Sequence, residues 1–150
     1  MKRLSIFFIA VATLALSSCG MLGGANGSSA AQTAGQTCGA AILGLYQSYK
    51  ASGTVDLTNA NNLANALALA ACYTQIKQNK DNVEYCNAFG NGLILSSAGL
   101  ITSANSNDFI NALVNANSLA NMNTSTTTNI STTNTTFTPD INRLMQRLDK

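Results

Sequence analysis

Cysteine is the residue type in this chain that can take part in the widest range of chemistry. A thiol can act as a nucleophile, bind a metal, form a disulfide or carry a lipid. The thiols stand at Cys19, Cys38, Cys72 and Cys86. The chain has no histidine, the usual partner of a catalytic thiol or of a zinc-binding thiol. No two cysteines have the Cys-x-x-Cys spacing, so the sequence indicates neither a redox motif nor a zinc pair.

The carboxylates are placed for structure rather than for catalysis. Most of them stand at the starts of predicted helices, where a negative charge complements the helix dipole. Glycoside hydrolysis needs two facing carboxylates, and the spacing suggests no such pair. No glycine-rich nucleotide loop follows a strand pattern. We therefore predict that the chain is not an enzyme and holds no metal or cofactor. The carboxylates at helix starts are Asp56, Asp81, Glu84, Asp108 and Asp140.

The first twenty residues have the pattern of a secretion signal. Lys2 and Arg3 give a positive start, and an apolar run follows from Leu4 to Leu16. A membrane-spanning helix needs roughly 20 apolar residues, so this run is too short to span a bilayer comfortably. A charged start, a short apolar core and small residues after it predict a signal peptide over residues 1–18.

The end of this segment, Leu16-Ser17-Ser18-Cys19, resembles the lipobox of bacterial lipoproteins. The resemblance implies that the Cys19 thiol receives a diacylglyceryl group, that cleavage occurs before Cys19, and that the new amino terminus is acylated. Burial of acyl chains, at about 0.8 kcal/mol per methylene, would then anchor the protein. Gly20 stands where some lipoproteins carry an aspartate that retains them in the inner membrane. We therefore expect the outer membrane, with the periplasmic face favoured over the cell surface.

The charge balance excludes one class of partner. Only 9% of the residues are charged, and without Lys2 and Arg3 there are six basic and six acidic side chains. A nucleic-acid-binding protein would present a basic stripe. We therefore expect no nucleic-acid partner.

The mature part is predicted to be all-α. Residues 19–33 are rich in glycine, serine and alanine without periodicity, which predicts a flexible tether between lipid and domain. Residues 34–122 carry four helical patterns with short connections, which predict an up-down four-helix bundle. The predicted limits are about Ala34 to Ala51, Thr58 or Asn59 to about Asn79, Asp81 with an apolar stripe reaching Ile101, and Ser106 or Asn107 with a stripe reaching Ala120.

The end of the chain predicts a linker and a last helix. Residues 123–137 are almost all threonine, asparagine and serine, which predicts a linker. Thr138 as N-cap and Pro139 at the first helical position predict an amphipathic helix over residues 138–150. Its apolar face could dock on the chain's own bundle, or on a partner protein or membrane surface. That face consists of Ile141, Leu144, Met145 and Leu148.

The cysteines other than Cys19 predict a disulfide, because the expected compartment is oxidising. In an up-down bundle Cys38, Cys72 and Cys86 lie at nearly equal distances from the predicted turns. We therefore expect all three at one level. Cys72–Cys86 is the favoured pair because its loop is shorter, with Cys38–Cys72 close behind.

These features predict a lipoprotein of the outer membrane with a structural or protein-interaction role. The architecture resembles that of small helical lipoproteins of Gram-negative bacteria. The alternative is a binding module that holds a small apolar ligand or lipid between its helices. Aromatic residues would line such a pocket, namely Tyr46, Tyr49, Tyr73, Phe89 and Phe109. A membrane-active role for residues 88–104 is a third hypothesis.

Replacing the Cys19 thiol tests the anchor. We expect Cys19→Ser to abolish incorporation of an alkyne-labelled fatty acid and to release a folded, soluble domain from membranes. Cys86→Ser, as the matched control, should keep both the label and the membrane fraction. A Cys19→Ser protein that still took up label, or stayed on membranes, would contradict the prediction.

Overall fold

The computed structural model describes residues 27–122 and 130–150, and these residues form helices and connecting turns without strands. The prediction of an all-α fold is confirmed. The signal peptide, Cys19, the first part of the tether and residues 123–129 lie outside the described residues. The helices are α1 (Gly27–Ser52), α2 (Ala60–Gln78), α3 (Val83–Ser96), α4 (Ser106–Val114), a 3-10 helix (Asn117–Asn121) and α5 (Ile130–Leu148).

The start of α1 corrects the predicted tether. The helix begins at Gly27, so residues 27–33 are helical rather than part of a flexible segment. Ala31 is fully buried and Ala34 is nearly so. Since packing of a helix face contributes most of the stability of a helix in a protein, these small buried residues extend α1 through a sequence with weak periodicity. The predicted end is confirmed, because Gly53 follows Ser52 with a φ of 76°.

α1 and α3 form the most extensive helix contact in the described part of the chain. Glycines allow it: a Cβ atom on Gly35 would lie 2.9 Å from the carbonyl carbon of Phe89. A Cβ atom on Gly39 would lie 2.9 Å from the carbonyl oxygen of Leu93. The two backbones therefore touch. Because the later glycine meets the later residue, α1 and α3 run parallel.

α1 and α2 form an antiparallel hairpin. The side-chain amide of Asn62 donates to the Ser48 hydroxyl at 2.8 Å, and Gly44 lies against the side chain of Asn65. α2 begins where predicted, because the Asn59 side chain accepts hydrogen bonds from the first free N–H groups of the helix. α3 packs along α1 and makes few contacts with α2.

The limits of α3 differ from the prediction at both ends. Its N-cap is Asn82, whose side chain accepts from the Tyr85 N–H at 3.1 Å, so the helix begins at Val83 rather than at the predicted Asp81. The helix ends at Ser96, before the predicted stripe does. Ala98 and Gly99 then adopt φ values of 51° and 85°, a left-handed conformation that turns the chain out of the helix.

α4 is shorter than its apolar stripe predicted. Asn105 occupies the N-cap position, one residue before the predicted cap, and the helix ends at Val114. The Asn115 side chain donates to the Asn111 carbonyl at 2.9 Å, which competes with continuation of the backbone pattern. The chain continues as the 3-10 helix, and Ala120, predicted on the inner face, is exposed.

α5 begins at Ile130, so the predicted linker is helical from that residue onward, and Pro139 lies inside the helix. Thr138 is therefore not an N-cap; its hydroxyl donates to the Asn134 side chain at 2.9 Å. A proline within a helix costs about 3 kcal/mol. Tertiary contacts offset this cost, because Phe137 is buried and Asn134 accepts from the Leu57 N–H at 3.2 Å.

The apolar face of α5 packs into the chain's own core. Ile141, Leu144 and Met145 are buried there, and Leu148 is half-buried against the same core. Of the two alternatives for this helix, docking on its own bundle is therefore the one found. Asn142 joins α5 to the loop between α1 and α2, because its side chain accepts from the Val55 N–H at 2.8 Å. No helix within the described residues has both the length and the apolar character to cross a membrane.

Two glycines on α3 test the helix contact. A Cβ atom on Gly92 would clash with the Gln32 carbonyl and lie 2.7 Å from the Gln36 nitrogen. We expect Gly92→Ala to lower the free energy of unfolding by about 1–3 kcal/mol, the usual cost of overpacking. On Gly90 the same atom would meet only the Ile110 side chain, at 3.7 Å.

We therefore expect the control Gly90→Ala to be neutral or to raise the free energy of unfolding by about 0.5–1 kcal/mol, since alanine favours helix. Urea unfolding followed by circular dichroism measures both variants. Equal effects of the two substitutions would rule out a backbone contact at Gly92.

Candidate functional site

The described thiols occupy two separate places. Cys38 and Cys72 are buried, and their side chains are hydrogen-bonded neighbours between α1 and α2. Cys86 instead donates weakly to the carbonyl oxygens of Asn79, at 3.5 Å, and Lys80, at 3.7 Å. All three are free thiols. The disulfide between Cys72 and Cys86 stays a prediction, and so does the runner-up pair of Cys38 and Cys72.

The expectation of a single thiol level was wrong for Cys86. Cys72 and Cys86 lie at nearly equal distances from the turn after α2. They would face each other only if α3 packed along α2. Instead α3 follows α1, with Gly35 opposite residues 89–92. This register places Cys86 about two turns before Cys38 along the axis, on the order of 11 Å.

The surroundings of Cys38 and Cys86 keep these two thiols protonated. Burial raises the pKa of Cys38 well above its ordinary value, and the hydrogen bond with Cys72 adds to the effect. Burial also raises the pKa of Cys86, with a further contribution from the charge of Asp81. A protonated thiol is a poor nucleophile and a poor metal ligand. Among the described residues, no group of three or more Cys, Asp or Glu side chains could hold a metal ion.

The aromatic residues that the apolar-ligand hypothesis requires serve the core instead. Tyr73, Phe89 and Phe109 are buried in it, and Tyr46 and Tyr49 pack against it. Tyr73 donates its hydroxyl to the Asn117 side chain at 3.2 Å, so its polar end is also occupied. These side chains fill space between helices, and none of them lines the two grooves described below.

A groove between α4 and α5 is the candidate interaction site, and we call it the charged groove. Its volume is about 320 Å³ and it is open to solvent. Acidic and basic side chains line it together with amides, while Leu144 forms part of its floor. The lining residues are Asp108, Asn111, Ala112, Asn115, Ala116, Asp140, Arg143, Leu144 and Arg147.

The charges in this groove divide into a satisfied pair and two free groups. The carboxylate of Asp140 accepts from the Ser118 hydroxyl and, at 3.2 Å, from Arg143. Asp140 is the less exposed partner of that ion pair. Within the described residues, Asp108 on α4 and Arg147 on α5 have no ion-pair or hydrogen-bond partner. The groove therefore offers one unpaired negative charge and one unpaired positive charge to a partner.

An ion-pair cluster fixes the end of α5 beside this groove. Asp149 accepts from Lys50 at 2.8 Å and from the Tyr46 hydroxyl at 2.9 Å. The bond from Lys50, followed by that from Tyr46, lowers the pKa of Asp149. The same carboxylate raises the pKa of Lys50 and of Tyr46. The cluster holds the last turn of α5 against α1.

The last helix was predicted to meet a partner through its apolar face, whereas its polar face is the one that lines the charged groove. Arg143 and Arg147 are four residues apart, so both face the same side of α5. That spacing was the available signal. The contribution of Asp108 could not be found in the same way, because it depends on how α4 packs against α5.

The chain matches no family model, no curated protein and no solved structure.

The Asp149 cluster predicts a pH dependence. The folded-state pKa of Asp149 is lowered, so its contribution is present above the ordinary value and is lost as the pH falls through the lowered pKa. The pKa values of Lys50 and Tyr46 are raised, so their contribution is present below their ordinary values and is lost as the pH rises through the raised pKa. We expect the last turn of α5 to detach only in strong acid and strong alkali.

Nuclear magnetic resonance measures this detachment through the ring signals of Tyr46 during a pH titration. Asp149→Asn should remove the acid transition, while the matched control Asp81→Asn should keep it. Asp81 is also exposed and paired with a lysine, Lys80, but it lies far from α5 in the sequence. An acid transition that survives Asp149→Asn would assign it to another group.

Proposed function

We propose that this chain is a lipid-anchored protein of the bacterial outer membrane with a structural or protein-interaction role, and that it meets its partner through the charged groove. One observation carries the interaction part: α5 buries its apolar face in the chain's own core and turns Arg147 toward a groove opposite Asp108. With the apolar face occupied, the polar face is the one that a partner can reach.

The anchor rests on the sequence. Leu16-Ser17-Ser18-Cys19 supplies the pattern of the lipobox, and Gly20 favours the outer membrane. These residues lie outside the described part of the chain. A lipid at Cys19 would provide the membrane contact, so the near-neutral helical domain would need no membrane-binding patch. The tether between them would end before Gly27.

For the domain, we infer an up-down bundle of α1 to α4 completed by α5. The antiparallel pairing of α1 with α2 supports it, as does the parallel course of α1 and α3, because both follow from alternating helix directions. Because of the glycine contact, this bundle is not square in cross-section. α1 and α3, which would be diagonal in a square bundle, touch directly, and α5 packs beside α1, α4 and the 3-10 helix.

The free charges define the chemistry of the partner. A basic group placed beside Asp108 and an acidic group placed beside Arg147 would complete two ion pairs. Such rim charges mainly set the association rate and the specificity. The adjacent surface of Ala112, Ala116 and Leu144 adds a small apolar contact at the centre of the groove. A polypeptide segment with alternating charges fits these requirements.

Site-specific photocrosslinking in cells tests this proposal. A photoreactive amino acid at Asn111, exposed in the charged groove, should give one discrete protein adduct. The matched control position is Asn61, exposed on α2 away from the groove. Arg147→Glu should abolish the adduct, because it replaces the free positive charge with a negative one.

Lys150→Glu makes the same charge change beyond the end of α5 and should leave the adduct intact. Adducts of equal yield from both positions, or none from Asn111, would refute the groove as the interaction surface. Truncation before α5 is a poor test here. It would remove Ile141, Leu144 and Met145 from the core and would destabilise the whole domain.

A further inference from the structure

A second groove lies between α3 and the start of α4, and we call it the amide groove. Its volume is about 370 Å³, at the lower end of the range for small-molecule sites. Its lining contains neither charged nor aromatic side chains. The lining residues are Cys86, Asn87, Gly90, Asn91, Ile94, Ser103, Ser106 and Asn107.

Ser106 is the most informative residue of this groove. It is only 8% exposed, yet its hydroxyl has no hydrogen-bond partner within the described residues. No fully enclosed side-chain oxygen or nitrogen in that part of the chain lacks a partner. The Ser106 hydroxyl therefore keeps a small opening to solvent, and the groove that it lines provides that opening. A buried hydroxyl left open in this way is ready to bond a ligand.

The backbone at the start of α4 also offers free donors. The N-cap residue, Asn105, does not cap the helix with its side chain. Its side-chain oxygen accepts from the Thr102 N–H at 2.8 Å, and its amide donates to the Leu100 carbonyl at 3.1 Å. The N–H groups of Asn107 and Asp108 are therefore left without a side-chain acceptor.

Three carboxamides complete the set of free polar groups. Asn87, Asn91 and Asn107 make no side-chain hydrogen bond within the described residues. Each carboxamide presents two donor hydrogens and an acceptor oxygen. The groove thus has both donors and acceptors, as a ligand with several hydroxyl groups requires, since a hydroxyl also donates and accepts.

The surrounding charges decide against an anion. Asp108 stands in the first turn of α4 and already balances the positive end of the helix dipole. At the other end of the groove, Asp81 is paired with Lys80 at 3.0 Å, so this pair adds no net positive charge. The lining itself has no positive side chain. A phosphate or a carboxylate would therefore meet the carboxylate of Asp108 without a free basic group to balance it.

We propose that the amide groove binds a neutral, polyhydroxylated ligand, one sugar ring of a saccharide. The Ser106 hydroxyl and the Asn91 carboxamide would bond its hydroxyl groups, and Gly90 and Ile94 would contact a face of the ring. This site is separate from the charged groove, so either proposal can fail without the other.

Titration of the isotope-labelled full chain, followed by nuclear magnetic resonance, tests the site. The detergent should be an amine oxide, because detergents with sugar or phosphate head groups would compete. The neutral probes are glucose, N-acetylglucosamine and cellobiose, and the comparison probes are acetate, inorganic phosphate and triglycine. At least one neutral sugar should cause saturable shifts of the backbone amides of Asn107 and Asp108, with none of the comparison probes doing so.

Variants assign the binding to the groove. Ser106→Ala and Asn91→Ala should each weaken sugar binding about fivefold, the size of one lost hydrogen bond. Asn61→Ala, an exposed control on α2, should not change it. If Ser106→Ala perturbs the fold, the exposed Asn91 decides the matter alone. Absence of saturable sugar binding, equal or stronger shifts with phosphate, acetate or triglycine, or sugar binding unaffected by Asn91→Ala would overturn the proposal.

Discussion

Two helix backbones are in direct contact because glycines occupy the contact positions, Gly35 and Gly39 on α1 and Gly92 on α3. The other helices are arranged around this pair. Close backbone contact gains dispersion energy along the whole length of the interface, although each pair of atoms contributes little. The Ser96 hydroxyl adds a hydrogen bond to the Gln36 carbonyl at 2.6 Å. Because α3 lies on α1, it leaves α2 free to pack against α4 and the 3-10 helix.

In this domain asparagine side chains cap helices and make buried hydrogen bonds, roles that charged side chains often have in other proteins. Asn59 and Asn82 cap helices, and the buried Asn62 donates both to Ser48 and to the Asp56 carbonyl. Asn134 and Asn142 satisfy buried backbone groups in the loop after α1. A neutral amide can enter a core at a much lower desolvation cost than a charged group. A chain in which only 9% of residues are charged can therefore close a hydrogen-bonded interior with few ion pairs.

Local signals predicted the parts of the fold that depend on a few neighbouring residues. The all-α class, the cap at Asn59, the end of α1 before Gly53 and the inward face of α5 all follow from periodicity or from cap chemistry. The register of α3 could not be predicted, because it depends on glycines that meet only in three dimensions. The prediction that Pro139 starts the last helix was wrong for a related reason. Its local preference for a helix start was outweighed by the burial of Phe137 and by the bond between Asn134 and Leu57.

The same difference between local signals and tertiary packing explains which parts of the candidate sites could be predicted from the sequence. The sequence showed the apolar stripe of α5, but it did not show that this stripe packs on the chain's own core. The polar groups of both grooves come from pairs of helices. Asp108 and Arg147 face one opening only because α4 and α5 pack together, and Ser106 and Asn91 share another because α3 leads into α4 through a left-handed turn.

The two amides that α5 supplies to the loop after α1 also constrain the order of folding. The bond between Val55 and Asn142 joins residues 87 positions apart, so the loop emerges from the ribosome long before its partner. Until α5 exists, the N–H groups of Val55 and Leu57 lack their partners, and the core lacks Phe137, Ile141 and Met145. The loop after α1 and the part of the core beneath α5 therefore complete their packing only when the last residues of the chain are present. The domain reaches its most stable form only after translation is nearly complete.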